Sequence, residues 1–180
     1  NEQYGLNVLN ELGVFPRTDP PAIYVVNNTF FYNQTNLLNQ QGLADVMATL
    51  LYAKISFSNN LIVSNSTTTP AFECTDTGND NDTPVIADHN DIVNLNPNGY
   101  QPIFSPTCSD VVPSEIGLNG NISVDPHFVS ATDFHLLPGS PAIDVGNNSA
   151  LNLPVTDLSG NPRIVDATGL GHPIVDMGVY

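Results

Sequence analysis

Apolar and polar residues alternate along this chain in short bursts, and three of the bursts share one pattern. Ile23-Tyr24-Val25-Val26-Asn27-Asn28-Thr29-Phe30, Ile55-Ser56-Phe57-Ser58-Asn59-Asn60-Leu61-Ile62 and Val85-Ile86-Ala87-Asp88-His89-Asn90-Asp91-Ile92 align without a gap. Four columns result: Ile23/Ile55/Val85, Val25/Phe57/Ala87, Asn28/Asn60/Asn90 and Phe30/Ile62/Ile92. Apolar residues at alternate positions predict a strand with one buried face. An asparagine at a fixed place predicts a tight bend, because it tolerates the left-handed backbone region. The predicted unit is strand, bend, strand.

Such a unit cannot bury its apolar face alone, and repetition at a period of roughly 20 to 50 residues signals a solenoid. Stacking coils about 4.8 Å apart pairs each rung with the next through parallel backbone hydrogen bonds. Asn28, Asn60 and Asn90 then form an internal ladder, in which each buried amide gains a partner from its neighbour. The fold class expected is all-β: a parallel β-helix of about five coils with long loops.

Around the rungs, residues 1–20 form an apolar arm, with Tyr4, Leu6 and Val8 at strand spacing and Leu9, Leu12 and Phe15 at helical spacing. Pro16 to Pro21 detaches it from the solenoid domain of residues 21–180. Its apolar face needs cover, either the open end of its own solenoid or a neighbouring molecule, and the second arrangement propagates into a homopolymer. Leu43, Val46, Met47, Leu50 and Leu51 have the spacing of a short amphipathic helix, or of a strand entering the next rung near its end. The polar excursion that follows the second rung carries Asp76, Asp80 and Asp82, a candidate calcium loop. The reading requires no other cofactor.

Net charge is −15, with Arg17, Lys54 and Arg163 as the only lysine or arginine residues. Nucleic acid is therefore excluded as a partner, since nothing neutralises phosphates. No run is long and apolar enough to span a membrane. Cys74 and Cys108 each follow a rung, so stacking brings them together; a disulfide there implies an oxidising, extracellular or cell-surface location. Six Asn-x-Ser/Thr triplets, at Asn27, Asn33, Asn65, Asn81, Asn121 and Asn147, are glycosylation candidates in that compartment.

The final third, residues 121–180, reads as a closing segment. It contains Asp125-Pro126-His127-Phe128, Gly139-Ser140-Pro141-Ala142-Ile143-Asp144-Val145-Gly146, Asp157-Leu158-Ser159-Gly160-Asn161-Pro162-Arg163 and Asp176-Met177-Gly178-Val179-Tyr180. Those motifs resemble the terminal segment of bacterial choice-of-anchor Q domain proteins, right-handed parallel β-helices of the pectate-lyase-like superfamily. Val179 stands where that family usually has alanine. The resemblance implies the β-helix fold. Chemically, Arg163 is placed to clasp Asp144, Asp157 or Asp176 while the segment closes the last coil.

Many β-helix relatives cleave polysaccharides, so the residues have to be tested for catalysis. A lyase base needs a Lys or Arg beside calcium-binding carboxylates, and Lys54 has no second cation beside it in sequence. Two placed carboxylates serve a hydrolase, and Asp88 with Asp91 is the best local pair. His89, however, occupies the column of Asn27 and Asn59. His127 and His135 read as surface or turn residues. The leading expectation is a secreted, non-enzymatic structural or surface protein able to self-assemble through its arm and open end. The alternatives are a carbohydrate-binding or carbohydrate-cleaving module, with Tyr24, Tyr32 and Tyr100 as stacking platforms, and the C-terminal part of a longer adhesin.

Overall fold

A computed structural model describes residues 6–9, 22–32, 46–50, 54–76, 86–99, 116–166, 169 and 171–180. These residues form strands, turns and bends, with no helix among them. The first nine strands are β1 (Leu6–Leu9), β2 (Ala22–Val26), β3 (Thr29–Phe31), β4 (Val46–Leu50), β5 (Lys54–Ser58), β6 (Leu61–Ser64), β7 (Phe72–Asp76), β8 (Ile86–Asp88) and β9 (Asp91–Asn94). They make three three-stranded sheets, ordered β1-β4-β7, β2-β5-β8 and β3-β6-β9. Every neighbouring pair is parallel. The chain thus visits the three sheets in rotation, three times.

The register is the one the aligned columns require. Ile23 stands opposite Ile55, Val25 opposite Phe57 and Phe57 opposite Ala87. Phe30, Ile62 and Ile92 follow one another in the third sheet. Val85 lies outside the described residues. Val25, Phe57, Ala87, Ile62 and Ile92 are buried, and the Phe57 ring meets Phe72 of the remaining sheet edge-on at 5.0 Å. Apolar burial of this kind contributes roughly 25 cal/mol per Å².

One expectation needs revision in β6, where Leu61, Ile62, Val63 and Ser64 are all buried. Thr29, Leu61 and Asp91 stack on the face opposite Ile62, as do Phe31, Val63 and Val93. A returning C-terminal segment covers that second face: Leu61 packs with Ala142 and Met177, and Ile122, Phe128 and Leu136 adjoin them. Phe31 meets Phe134 at 5.3 Å and Phe128 at 5.7 Å. A parallel sheet covered on both sides reads as a continuous apolar run instead of an alternation.

The described residues bear on three further expectations. Of the two readings left open for Leu43–Leu51, helix or strand, the strand holds at Val46–Leu50, which lies between β1 and β7, where two rows of backbone hydrogen bonds outweigh weak helix propensity. In the arm, Leu6–Leu9 pairs alongside β4 instead of standing apart from the repeat; Tyr4, Leu12 and Phe15 lie outside the described residues. Three rounds of strands are described where about five coils were expected. After them comes a single parallel bridge from Asp91 to Ile122. Beyond it the chain forms two antiparallel pairs, β10 (Phe128–Ser130) with β11 (Asp133–Leu136) and β12 (Ile164–Val165) with β13 (Ile174–Val175).

Candidate functional site

The chemistry-bearing side chains gather at the bend between the second and third sheets. Asn28, Asn60 and Asn90 are joined there by Asn121, which sequence spacing missed because a long loop precedes it and its apolar follower comes one place early. Each ladder bond has the same direction. Asn60 Oδ1 accepts from Asn28 N (2.9 Å) and Nδ2 (3.3 Å), and Asn90 Oδ1 from Asn60 N (3.0 Å) and Nδ2 (2.9 Å). Asn121 Oδ1 accepts from Asn90 N (2.9 Å) and Nδ2 (3.1 Å). The amide nitrogens of Asn60, Asn90 and Asn121 also donate back to the carbonyls of Val25, Phe57 and Ala87. Buried amides are thereby satisfied within the protein.

The left-handed bend falls one residue earlier than expected. Asn27, Asn59, His89 and Asn119 take φ of 54°, 60°, 52° and 50°, whereas the ladder asparagines do not. Division of labour follows: one column turns the chain and the next holds the rungs together. His89 is therefore a bend residue, in keeping with the tolerance of Asn and His for this region.

The turning column also anchors the C-terminal segment. Asn59 Nδ2 donates to Asn27 Oδ1 (3.1 Å) and to the Asn147 carbonyl (3.1 Å), and Asn147 N returns a bond to Asn59 Oδ1 (2.7 Å). Asn27 Nδ2 donates to the carbonyls of Asp176 (2.8 Å) and Gly178 (3.1 Å), and Gly178 N donates to the Asn59 carbonyl (2.8 Å). A Cβ on Gly178 would lie 2.6 Å from Leu61 Cδ1, and its φ of 94° disfavours any side chain, so the close approach demands glycine. Thr29 joins them, its hydroxyl accepting from Val179 N, and nothing in the sequence marks Asn59, Asn147 or Thr29 as an anchor of the returning segment.

Arg163 clasps the terminus in a form different from the one expected. Its Nη1 donates to the Gly178 carbonyl (2.7 Å) and the Tyr180 carbonyl (3.4 Å), and Nη2 to that of Val179 (3.0 Å). The carboxylates act at longer range: Asp157 and Asp176 supply a negative field, while burial pulls the guanidinium pKa down. Asp176 Oδ1 accepts from Asp144 N (2.7 Å), and burial raises its carboxyl above the usual range. Asp157 accepts from Asn161 N and Nδ2, closing a turn.

The two carboxyls considered for hydrolysis have structural surroundings. Asp88 accepts from Ser58 Oγ, from Asn147 Nδ2 (2.6 Å) and, on the same oxygen as Asn147, contacts His89 Nδ1 (3.3 Å). Asp91 is 0% exposed; one oxygen accepts from Val124 N (3.0 Å), and Oδ2 has no hydrogen-bond partner among the described residues. Burial pushes its pKa up to about 7, with Asp125 adding repulsion. A general base that no substrate reaches cannot work. Among the aromatics, Tyr24 and Tyr32 are exposed, and Tyr100 lies outside the described residues.

The sequons divide sharply. Asn27 and Asn121 are buried with their amides bonded, so neither can carry a sugar in this fold. Asn147 has its amide nitrogen committed to Asp88. Asn65 is exposed, and Asn33 and Asn81 lie outside the described residues. Cys74 follows the second rung within β7, opposite Ala48; its pairing with Cys108 lies outside the described residues. Asp76 ends β7, while Asp80 and Asp82 lie outside as well. No group of three or more potential metal ligands occurs among the described residues, and no helix there is long and apolar enough to cross a membrane. Comparison with protein-family profiles, curated proteins and solved structures gives no match.

Proposed function

We propose that the three sheets are the faces of one right-handed parallel β-helix, as the resemblance of the closing segment to choice-of-anchor Q domain proteins implies. In this reading the protein is a secreted, non-enzymatic structural or surface element. The observation that carries it is the fate of the polar residues at the bend. Asn27, Asn59, Asn60, Asn90 and Asn121 bond to one another, to backbone or to the returning segment, and Asp88 is held by Ser58 and Asn147. Groups arranged to hold a stack have no free valence for substrate. An extracellular disulfide between Cys74 and Cys108 and a calcium loop at Asp76, Asp80 and Asp82 belong to the same proposal.

Exposed Tyr24 and Tyr32 favour a second reading, a carbohydrate-binding module that stacks sugar rings. One experiment separates the two. Incubation with a polysaccharide panel, read by release of reducing or unsaturated ends, yields none under the structural reading. End release lost in Asp88→Ala would establish a hydrolase, and quenching of tyrosine fluorescence by oligosaccharide without end release would establish the binding module.

A further inference from the structure

Aspartate is followed by proline twice in this chain, at Asp19-Pro20 and at Asp125-Pro126. Such a bond has a built-in route to breakage: the side-chain carboxylate can attack its own main-chain carbonyl carbon by closing a five-membered ring, and proline departs as a basic secondary amine. In a free chain the attack is rare, because the carboxyl must first be held against the bond. At Asp125 the fold does the holding. Asp125 Oδ1 accepts from His127 N (2.9 Å), and the ring that this hydrogen bond closes contains the Asp125–Pro126 bond itself. Asp19-Pro20 is followed by Pro21, which has no N–H to donate, so the same turn cannot form there.

The chain is fixed on both sides of the bond. Val124 N donates to the buried Asp91 (3.0 Å) before it. After it, Pro126 is buried, its carbonyl accepts from the buried Ser140 Oγ (2.6 Å), and the His127 carbonyl accepts from Leu137 N (2.9 Å). His127 takes a φ of 55°, a left-handed conformation imposed one residue beyond the bond. Asp125 itself is exposed, so water reaches the carbon that would be attacked.

We infer that the folded chain cleaves itself between Asp125 and Pro126, with the Asp125 carboxylate as nucleophile and the turn through His127 N as the device that positions it. A carboxylate oxygen of Asp125 bonds to the main-chain carbonyl carbon of the same residue. The bond from that carbon to the Pro126 nitrogen breaks, and the nitrogen takes a proton from solvent as it leaves. The cyclic anhydride left on Asp125 then takes up one water, which restores the side-chain carboxyl and gives the main chain a second one. One water is consumed and nothing is oxidised or reduced. The cut falls just before β10, between the parallel strands and the rest of the closing segment. Bonds from Asn27 to the carbonyls of Asp176 and Gly178, between Asn59 and Asn147, and from Val179 N to Thr29 all span it, so the two pieces stay assembled after cleavage. A covalent closing segment thereby becomes a detachable one. The inference does not depend on the β-helix reading.

The test holds the purified chain at about pH 5, where solvent can supply the proton, and follows the pieces by intact mass and terminal sequencing. The folded protein yields one piece ending at Asp125 and one beginning at Pro126, at least about tenfold faster than the same molecules are cut at Asp19–Pro20. In guanidinium chloride that advantage falls below about threefold, because the denatured chain no longer holds the carboxyl in place. Asp125→Asn keeps a side-chain oxygen for His127 N but removes the nucleophile, so it abolishes the cut while the unfolding midpoint stays unchanged. The proposal is overturned by an absence of cleavage, by similar rates at the two Asp-Pro bonds in the folded protein, by an advantage that persists in denaturant, or by undiminished cleavage of Asp125→Asn.

Discussion

Asn60 shows how much depends on one side chain. Truncation in Asn60→Ala strips the Val25 carbonyl and the Asn28 backbone nitrogen of partners in a sealed interior. Each orphan costs about 1–3 kcal/mol, so the variant should lose about 3–5 kcal/mol in urea titration, far more than Asn65→Ala at the surface. Asp91 works in the opposite sense. Its folded pKa of about 7 exceeds its ordinary 3.8, so the folded state binds the proton more tightly. The stabilisation is complete below the unfolded pKa, fades as pH rises through 7, and amounts to at most about 4 kcal/mol. Asp91→Asn should flatten that decline, read as the unfolding midpoint between pH 4 and pH 8. The sequence disclosed the Asn28/Asn60/Asn90 column because like residues stack at constant spacing. It did not disclose that the preceding residue makes the bend, since Asn27-Asn28 and Asn59-Asn60 offer two identical candidates, and only His89 breaks the tie.

At the scale of elements, the strands were legible where one face alone carries the pattern, as in Ile23-Tyr24-Val25. They were obscure where both faces are covered, because Leu61-Ile62-Val63 has no alternation to read, and where neighbours decide, because β4 has helical spacing and no helix. The closing segment was recognised as a unit, but its anchors were not: Arg163 was read as seeking carboxylates and instead holds three carbonyls of the terminus. Arg163→Lys should therefore fail to substitute, since one ammonium cannot present the flat fork that reaches Gly178, Val179 and Tyr180 together. Limited proteolysis of that variant should cut within residues 164–180 well before the parallel strands are attacked. Gly178→Val should give the same early cleavage by a different cause, a side chain driven against Leu61 at a positive φ.

For the whole molecule, charge is the dominant feature. Eighteen acidic residues face three lysines and arginines, and the compact state confines their repulsion. Raising monovalent salt from about 0.02 to 0.5 M shortens the screening length several-fold and should raise the unfolding midpoint, while Asp91, out of reach of solvent, should keep its titration.

The bonds from Asn27 to Asp176 and Gly178 join positions 149 and 151 residues apart. Loops of that span close late, because the entropy of bringing distant segments together must be met before any contact rewards it. A chain emerging from the ribosome can zip its rungs one upon another, yet Leu61 and Phe31 remain bare until Phe128, Phe134, Ala142 and Met177 have arrived. The vulnerable interval in this protein's life is thus the one between the emergence of the rungs and that of the closing segment, when an oily flank waits for a cover that is still being made.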